Sequence, residues 1–272
     1  MHYVVAYLGT NATCIHLRIV AARKNPTYDP PNASFDPDTA GGFRPAAALF
    51  RGIAVSRKRV AILISGRGSN MEALIVAAAE ESYPAQIALV ISNRSDAPGL
   101  RRAAAAAIAT EIVDHTLYRD DREKFEGALQ EKLDAHRIDL VCLAGFMRLL
   151  SPNFVGKWQG RMLNIHPALL PAFKGLDTHA RALEAGVKIH GATVHMVVPE
   201  VDSGPILAQA AVPVRESDTA ETLAARVLDA EHRIYPAALK WLAEGRVRIV
   251  DGRCRIEGQV DADGLLFVPK IS

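Results

Sequence analysis

"RVAILISGRGSNMEALIVAAAEESY", residues 59–83, opens with an aliphatic run, breaks at two glycines and then changes to helical spacing. The opening run carries no alternating polar residues, which is the pattern of a strand buried on both faces of a parallel sheet. The segment therefore reads as strand, glycine turn, helix. A turn in that position lies at the carboxyl end of a strand, where open α/β sheets bind their ligands.

The same alternation recurs downstream. "QIALVISN" precedes "APGLRRAAAAAIA", "TEIVDH" precedes the charged amphipathic "RDDREKFEGALQEKLDAHR", and "DLVCLAGF" is again a continuous apolar strand. Four such units predict an α/β fold with a doubly wound, mostly parallel sheet and helices on both faces, in a single domain. Beyond residue 160, "RMLNIH", "GATVHMVV" and "PILAQAAVPV" read as strands and "THARALEAG" as a short helix. "TAETLAARVLDAEHRIYPAALKWLAEG" reads as a long helical stretch that Pro236 kinks or breaks. "RVRIVDGRCRIEG" carries an Asp-Gly hairpin signal. The domain is placed at residues 57–256. Residues 25–47 are rich in Pro, Gly, Asn and Asp without hydrophobic period, so 1–56 is expected to be a disordered extension and 257–272 a C-terminal tail.

Composition narrows the function classes. A net charge of +2 on balanced acids and bases gives no basic footprint for nucleic acid, and a small-molecule partner is the better default. Cys14, Cys142 and Cys254 are odd in number, widely spaced and without CxxC, so neither a disulfide framework nor a zinc site is expected. No apolar run approaches membrane-spanning length. A cytoplasmic protein without nucleic-acid or membrane partners is the expectation, as a monomer or weak homodimer.

Three stretches carry polar groups suited to chemistry. In "SGRGSN" (65–70) the glycines permit a tight turn, Ser69 and Asn70 can cap the helix, and free N–H groups favour an anion such as phosphate. A plain glycine turn with a good cap would look the same. In "NIHPALLP" (164–171) strand alternation puts Asn164 and His166 on one face, the equipment for holding a carbonyl oxygen as it becomes an oxyanion. A capping Asn and a satisfied strand-end His would also fit. "PEVDSGPI" (199–206) places Asp202 in a loop, where it could keep the His166 imidazole protonated or merely form a solvated turn. His179, His190 and His195 match no metal-ligand spacing, and no metal is expected.

Taken together, "ILISGRGSN", "ISNRSDAPGL", "LAGFMRLLSP", "NIHPALLPAFKGLDTHARALEAG", "HGATVHMVVPEVDSGPILAQAAVPV" and "EHRIYP" closely resemble the phosphoribosylglycinamide formyltransferase family of folate-dependent enzymes, from about Val60 to Arg248. The resemblance implies a formyltransferase-like Rossmann variant in which Asn164, His166 and Asp202 are catalytic. It implies 10-formyltetrahydrofolate as co-substrate and 5'-phosphoribosylglycinamide as acceptor, in purine synthesis. Gly68, Ser69, Asn70 and Glu231 match the acceptor site. Met147, Arg148, Leu149, Leu150, Asn164 and Val198, Pro199, Glu200, Val201 and Asp202 match the folate pocket, with Arg122 receiving the folate's glutamate tail. Leu170-Pro171 is a candidate cis bond on the same analogy.

The sequence departs from the family pattern at Leu228, where a polar or basic residue towards the acceptor is often found, and in its first 55 or so residues. Two related activities share the Asn-x-His…Asp core: methionyl-tRNA formyltransferase, which would need a sizeable tRNA-binding domain after Arg248, and formyltetrahydrofolate hydrolase, which would need an N-terminal regulatory domain. From another class, a non-catalytic folate- or nucleotide-binding module could use the same scaffold.

Overall fold

The structure, a computed structural model, describes residues 57–119, 121–258 and 268. The expected extension over 1–56, Cys14 and most of the 257–272 tail lie outside the described residues.

The run that opens this chain's α/β pattern forms β1 (Lys58–Ile64), and each later unit follows in order: α1 (Ser69–Ala79), β2 (Ala85–Ser92), α2 (Pro98–Ala105), β3 (Thr110–Ile112), a 3₁₀ turn at His115–Tyr118, α3 (Arg122–Ala135) and β4 (Leu140–Leu143). The second half comprises α4 (Pro152–Lys157), β5 (Met162–His166), α5 (Thr178–Glu184), β6 (Ile189–Met196), β7 (Ile206–Pro213), α6 (Ala220–Ala243) and the hairpin β8 (Val247–Val250) and β9 (Arg253–Ile256).

Seven strands pair in the order β3-β2-β1-β4-β5-β6-β7. The first five are mutually parallel, and β6 runs antiparallel to both neighbours. The sheet is mostly parallel, as the apolar runs predict, and its winding reverses between β1 and β4. Their carboxyl ends therefore diverge into a crevice beside the glycine turn, the position where such sheets bind ligands.

Both faces of β1 are covered, which explains its unbroken apolar sequence. Val60, Ile62 and Ile64 join Met71 and Leu74 of α1 and Leu223, Val227, Tyr235 and Leu239 of α6. Ala61 and Leu63 point the other way, into Phe125, Leu129 and Leu133 of α3 and Phe154 and Trp158 by α4. Cys142 is fully buried within this sheet, and burial pushes its thiol up to about 12, so it acts as an inert core residue.

Two readings need correction. Pro236 does not break α6 into separate helices: the helix continues to Ala243. A mid-helix proline costs about 3 kcal/mol, but the burial of Leu223, Val227, Tyr235, Ala238 and Leu239 along one face outweighs it, and Tyr83 donates its hydroxyl hydrogen to the Pro236 carbonyl at 2.7 Å. Helix α4 was missed, although Ser151-Pro152 is a helix-start signal: Ser151 caps the helix by accepting from Phe154 N, and Pro152 is its first residue. The predicted Asp-Gly hairpin is present, with Asp251 and Gly252 both at positive φ as a type I′ turn requires.

Candidate active site

Asn164 and His166 stand on β5 and Asp202 on the loop between β6 and β7. The sheet brings β5 and β6 together in a register that sets Asn164 opposite His195. Ile165, between the two polar residues, points into the core as alternation predicts. The loop carrying Asp202 closes tightly because Gly204 lacks a side chain: a Cβ there would sit 1.7 Å from the Met196 carbonyl oxygen. Asp202 itself adopts positive φ, at 48°.

The three residues converge. His166 Nδ1 lies 3.4 Å from Asp202 Oδ2, an ion-pair distance rather than a short hydrogen bond, and both side chains are nearly sealed from solvent. His166 Nε2 is 3.0 Å from the Phe173 carbonyl oxygen. Gly175 N donates to Asp202 Oδ2 at 2.9 Å. The loop after β5 thus grips the imidazole and the carboxylate together, and it contains the cis Leu170-Pro171 bond expected from the family resemblance.

A fourth residue belongs to the cluster that sequence reasoning considered only as a metal ligand. His195 Nδ1 donates to the Met196 carbonyl at 2.9 Å, so its Nε2 lone pair accepts from Asn164 Nδ2 at 3.1 Å. Burial lowers the His195 pKa, an effect only partly offset by the Met196 carbonyl and Asp202, and this keeps the ring neutral and able to accept. The Asn164 amide is thereby oriented, with one of its two hydrogens committed to His195. No sequence spacing announces this role, because a His on an alternating strand reads as a core residue.

Two clefts are lined by expected site residues, and His166 lines neither. One, of about 140 Å³, is lined by Phe146, Arg148, Leu149, Leu150, Val197 and Val198 to Asp202, with Asn164 and His195 at its base. Leu149 and Val201 are more than half exposed at its rim, an apolar lip suited to a flat ring system. Of the expected folate-pocket residues, Arg148, Leu149, Leu150, Asn164 and Val198, Pro199, Glu200, Val201 and Asp202 line this cleft. Met147 does not: it lines the second cleft. Arg122, exposed in the first turn of α3, lines neither.

The second cleft, of about 280 Å³, is walled by Ser65, Gly66, Arg67, Gly68, Ser69, Asn70, Ala144, Gly145 and Met147. Here a local expectation fails: Ser69 and Asn70 do not cap α1. Gly68, at φ 76°, is the cap residue and no side chain satisfies the first turn, so the leading N–H groups of the helix face the cleft unpaired by side chains. Asn70 instead donates from Nδ2 to Glu231 Oε2 at 2.7 Å, while its Oδ1 is buried without a partner. Burial raises the Glu231 pKa, partly offset by that hydrogen bond. Leu228 is half-buried and does not line this cleft. Among the described residues no group of three or more His, Cys, Asp or Glu side chains could hold a metal, and no helix is long and apolar enough to cross a membrane.

Comparison with known proteins matches residues 58–239 to the formyl transferase family model. The chain is 44% identical over 200 residues to phosphoribosylglycinamide formyltransferase of Escherichia coli (strain K12), covering 74% of this chain and 94% of that protein. It is 50% identical over 197 residues to the trifunctional purine biosynthetic protein adenosine-3 of Gallus gallus, covering 72% of this chain but only 20% of that longer protein. The crystal structure of glycinamide ribonucleotide transformylase 1 from Symbiobacterium toebii superimposes with a TM-score of 0.72 at 49% identity, over 74% of this chain and 94% of the other.

Proposed function

The chain belongs to the formyl transferase family, and from that premise we propose that it transfers the formyl group of 10-formyltetrahydrofolate to the amino group of 5'-phosphoribosylglycinamide. The observation that carries this reading is that the segment after β4 walls both clefts: Phe146 and Arg148 line the apolar-lipped slot that holds Asn164 and Asp202, and Ala144, Gly145 and Met147 line the anion-friendly turn. The slot suits the pterin and the turn suits the acceptor's phosphate.

In this reading the acceptor amine attacks the formyl carbon and a C–N bond forms. The carbonyl oxygen gains negative charge, which the second Asn164 amide hydrogen stabilises. His166 has an acceptor on each side, the Asp202 carboxylate and the Phe173 carbonyl. An imidazolium satisfies both with its two N–H groups and adds positive charge beside the developing oxyanion. Asp202, which lines the slot, takes the proton released by the amine, directly or through water. The tetrahedral intermediate then collapses, the bond to the folate nitrogen breaks, and that nitrogen takes up the proton held by Asp202, directly or through water, leaving as tetrahydrofolate and restoring the carboxylate.

The deciding experiment follows tetrahydrofolate release from 10-formyltetrahydrofolate with and without 5'-phosphoribosylglycinamide. Release that requires the acceptor, with formylated product, is the expected result. Release in water alone would reassign the chain as a hydrolase, and binding of both ligands without release would make it a non-catalytic module.

A further inference from the structure

The acceptor cleft has one charged side chain in its wall, and it is one that the family resemblance does not assign. Arg67 stands between Gly66 and Gly68, is exposed, and has no ion-pair or hydrogen-bond partner among the described residues. The nearest acid in sequence on α1, Glu72, is occupied by Arg102, which donates to it at 2.6 Å. No carboxylate lines the cleft beside Arg67.

Its backbone is held in place. Gly99 N donates to the Gly66 carbonyl at 3.1 Å, and a Cβ on Gly99 would press on that carbonyl oxygen at 3.0 Å and on Ile64 Cδ1 at 2.5 Å. The turn is therefore seated directly on the start of α2, while the long Arg67 side chain remains uncommitted. Three residues on, the polarity reverses: Asn70 has an unpartnered Oδ1, and the Glu231 carboxyl behind it, which accepts from Asn70 Nδ2, is an acceptor as well. A ligand bridging the two would place hydroxyl or amine donors towards Glu231 and its anionic end towards Arg67.

We propose that Arg67 is a specificity residue for the acceptor's phosphate, its guanidinium closing over an anion already held by the first-turn amides of α1. The assignment rests on the acceptor reading above and adds to it a side chain that senses the phosphate. Guanidinium pairs with phosphate through two parallel N–H donors, which an ammonium cannot reproduce.

The test compares the wild type with Arg67→Ala and Arg67→Lys on two acceptors, 5'-phosphoribosylglycinamide and its dephosphorylated riboside. In Arg67→Ala the KM for the phosphorylated acceptor is expected to rise roughly tenfold, the size of a charged hydrogen bond partly screened by solvent. The kcat and the KM for 10-formyltetrahydrofolate stay within about twofold, the riboside is unaffected, and Arg67→Lys recovers part of the loss. Equal losses on both acceptors, or no change with the phosphorylated one, would overturn the proposal. Calorimetric titration of each protein with ribose 5-phosphate reads the same contact without turnover. A tenfold weaker affinity in Arg67→Ala supports the assignment even if the wild type transfers no formyl group, an outcome that would instead remove the acceptor reading.

Discussion

The junction of β5 with the Asp202 loop, around His166, and the cleft around Asn70 keep their polar groups in opposite conditions. At the junction, partners are internal: His166 lies between Asp202 and Phe173, Asp202 also accepts from Gly175, and Asn164 is fixed by His195. At the cleft, groups are left open: the leading amides of α1 lack a side-chain cap, Asn70 Oδ1 has no partner, and Arg67 is unpaired among the described residues. Buried polar groups without partners are costly, so the cleft retains a debt that a ligand with matching donors and acceptors can discharge. The junction, already satisfied, spends nothing on reorganising when charge develops. Chemistry is best served by the first arrangement and recognition by the second.

The comparison breaks most sharply at the junction. Asp202→Asn is expected to lower kcat by roughly 10³-fold, within the range for a lost general base, with affinity for both substrates retained in equilibrium binding; a loss of binding with kcat preserved would place Asp202 at the wrong end. Asn164→Ala is expected to cost about 10²-fold in kcat, the scale of a missing oxyanion donor. If its loss fell wholly in KM, stopped-flow binding and single-turnover rates would expose the error.

Effects at the cleft should be smaller and fall on KM. Glu231→Gln is expected to raise the acceptor KM about tenfold with kcat nearly intact. Stability should move the other way. Because the folded-state pKa of Glu231 is raised, the stability linked to its protonated form is present at low pH and is lost as pH rises from the unfolded-state value through the folded one. Removing the carboxylate should therefore leave the protein equally or more stable at neutral pH, which chemical denaturation at pH 5 and pH 8 would check.

A last effect, confined to stability in acid and silent in turnover at neutral pH, concerns a residue behind the junction. His190 is fully buried, with His179 packed edge-to-face at 5.4 Å between ring centroids. Burial first and His179 second lower its pKa to about 4, and the Pro167 carbonyl offsets part of this without an aligned hydrogen bond. Stability linked to neutral His190 is then present above the ordinary value of 6.5 and is lost as pH falls towards about 4. Urea titrations between pH 7 and pH 4 should show a shallower decline for His190→Gln than for the wild type, by up to about 3 kcal/mol at the acid end.

The parallel half of the sheet was legible because buried strands of this kind have no alternation to hide: "RVAILIS" and "DLVCLAGF" became β1 and β4, side by side. Asn164 and His166 were legible as a pair from alternation alone, but their meeting with Asp202 was not, since it depends on how β5, β6 and the following loop are registered. The cap on α1 was misread because the rule that Ser and Asn cap helices concerns a position, and the chain enters the helix one residue earlier, at Gly68. His195 and the Asn70–Glu231 contact left no local signature. Each is defined by a partner far along the chain, and periodicity reports only on neighbours.

The Asn70–Glu231 hydrogen bond spans 161 positions of sequence. At about 5–20 residues per second of synthesis, about 8–30 s separate the making of its two ends. Through that interval the nascent chain has the glycine turn and Asn70 without the Glu231 partner, and Met71 and Leu74 of α1 lack the α6 surface that covers them. Completion of the cleft's polar frame is thus a late event in the life of each molecule, and the apolar face of α1 is what a ribosome-associated chaperone would meet before it.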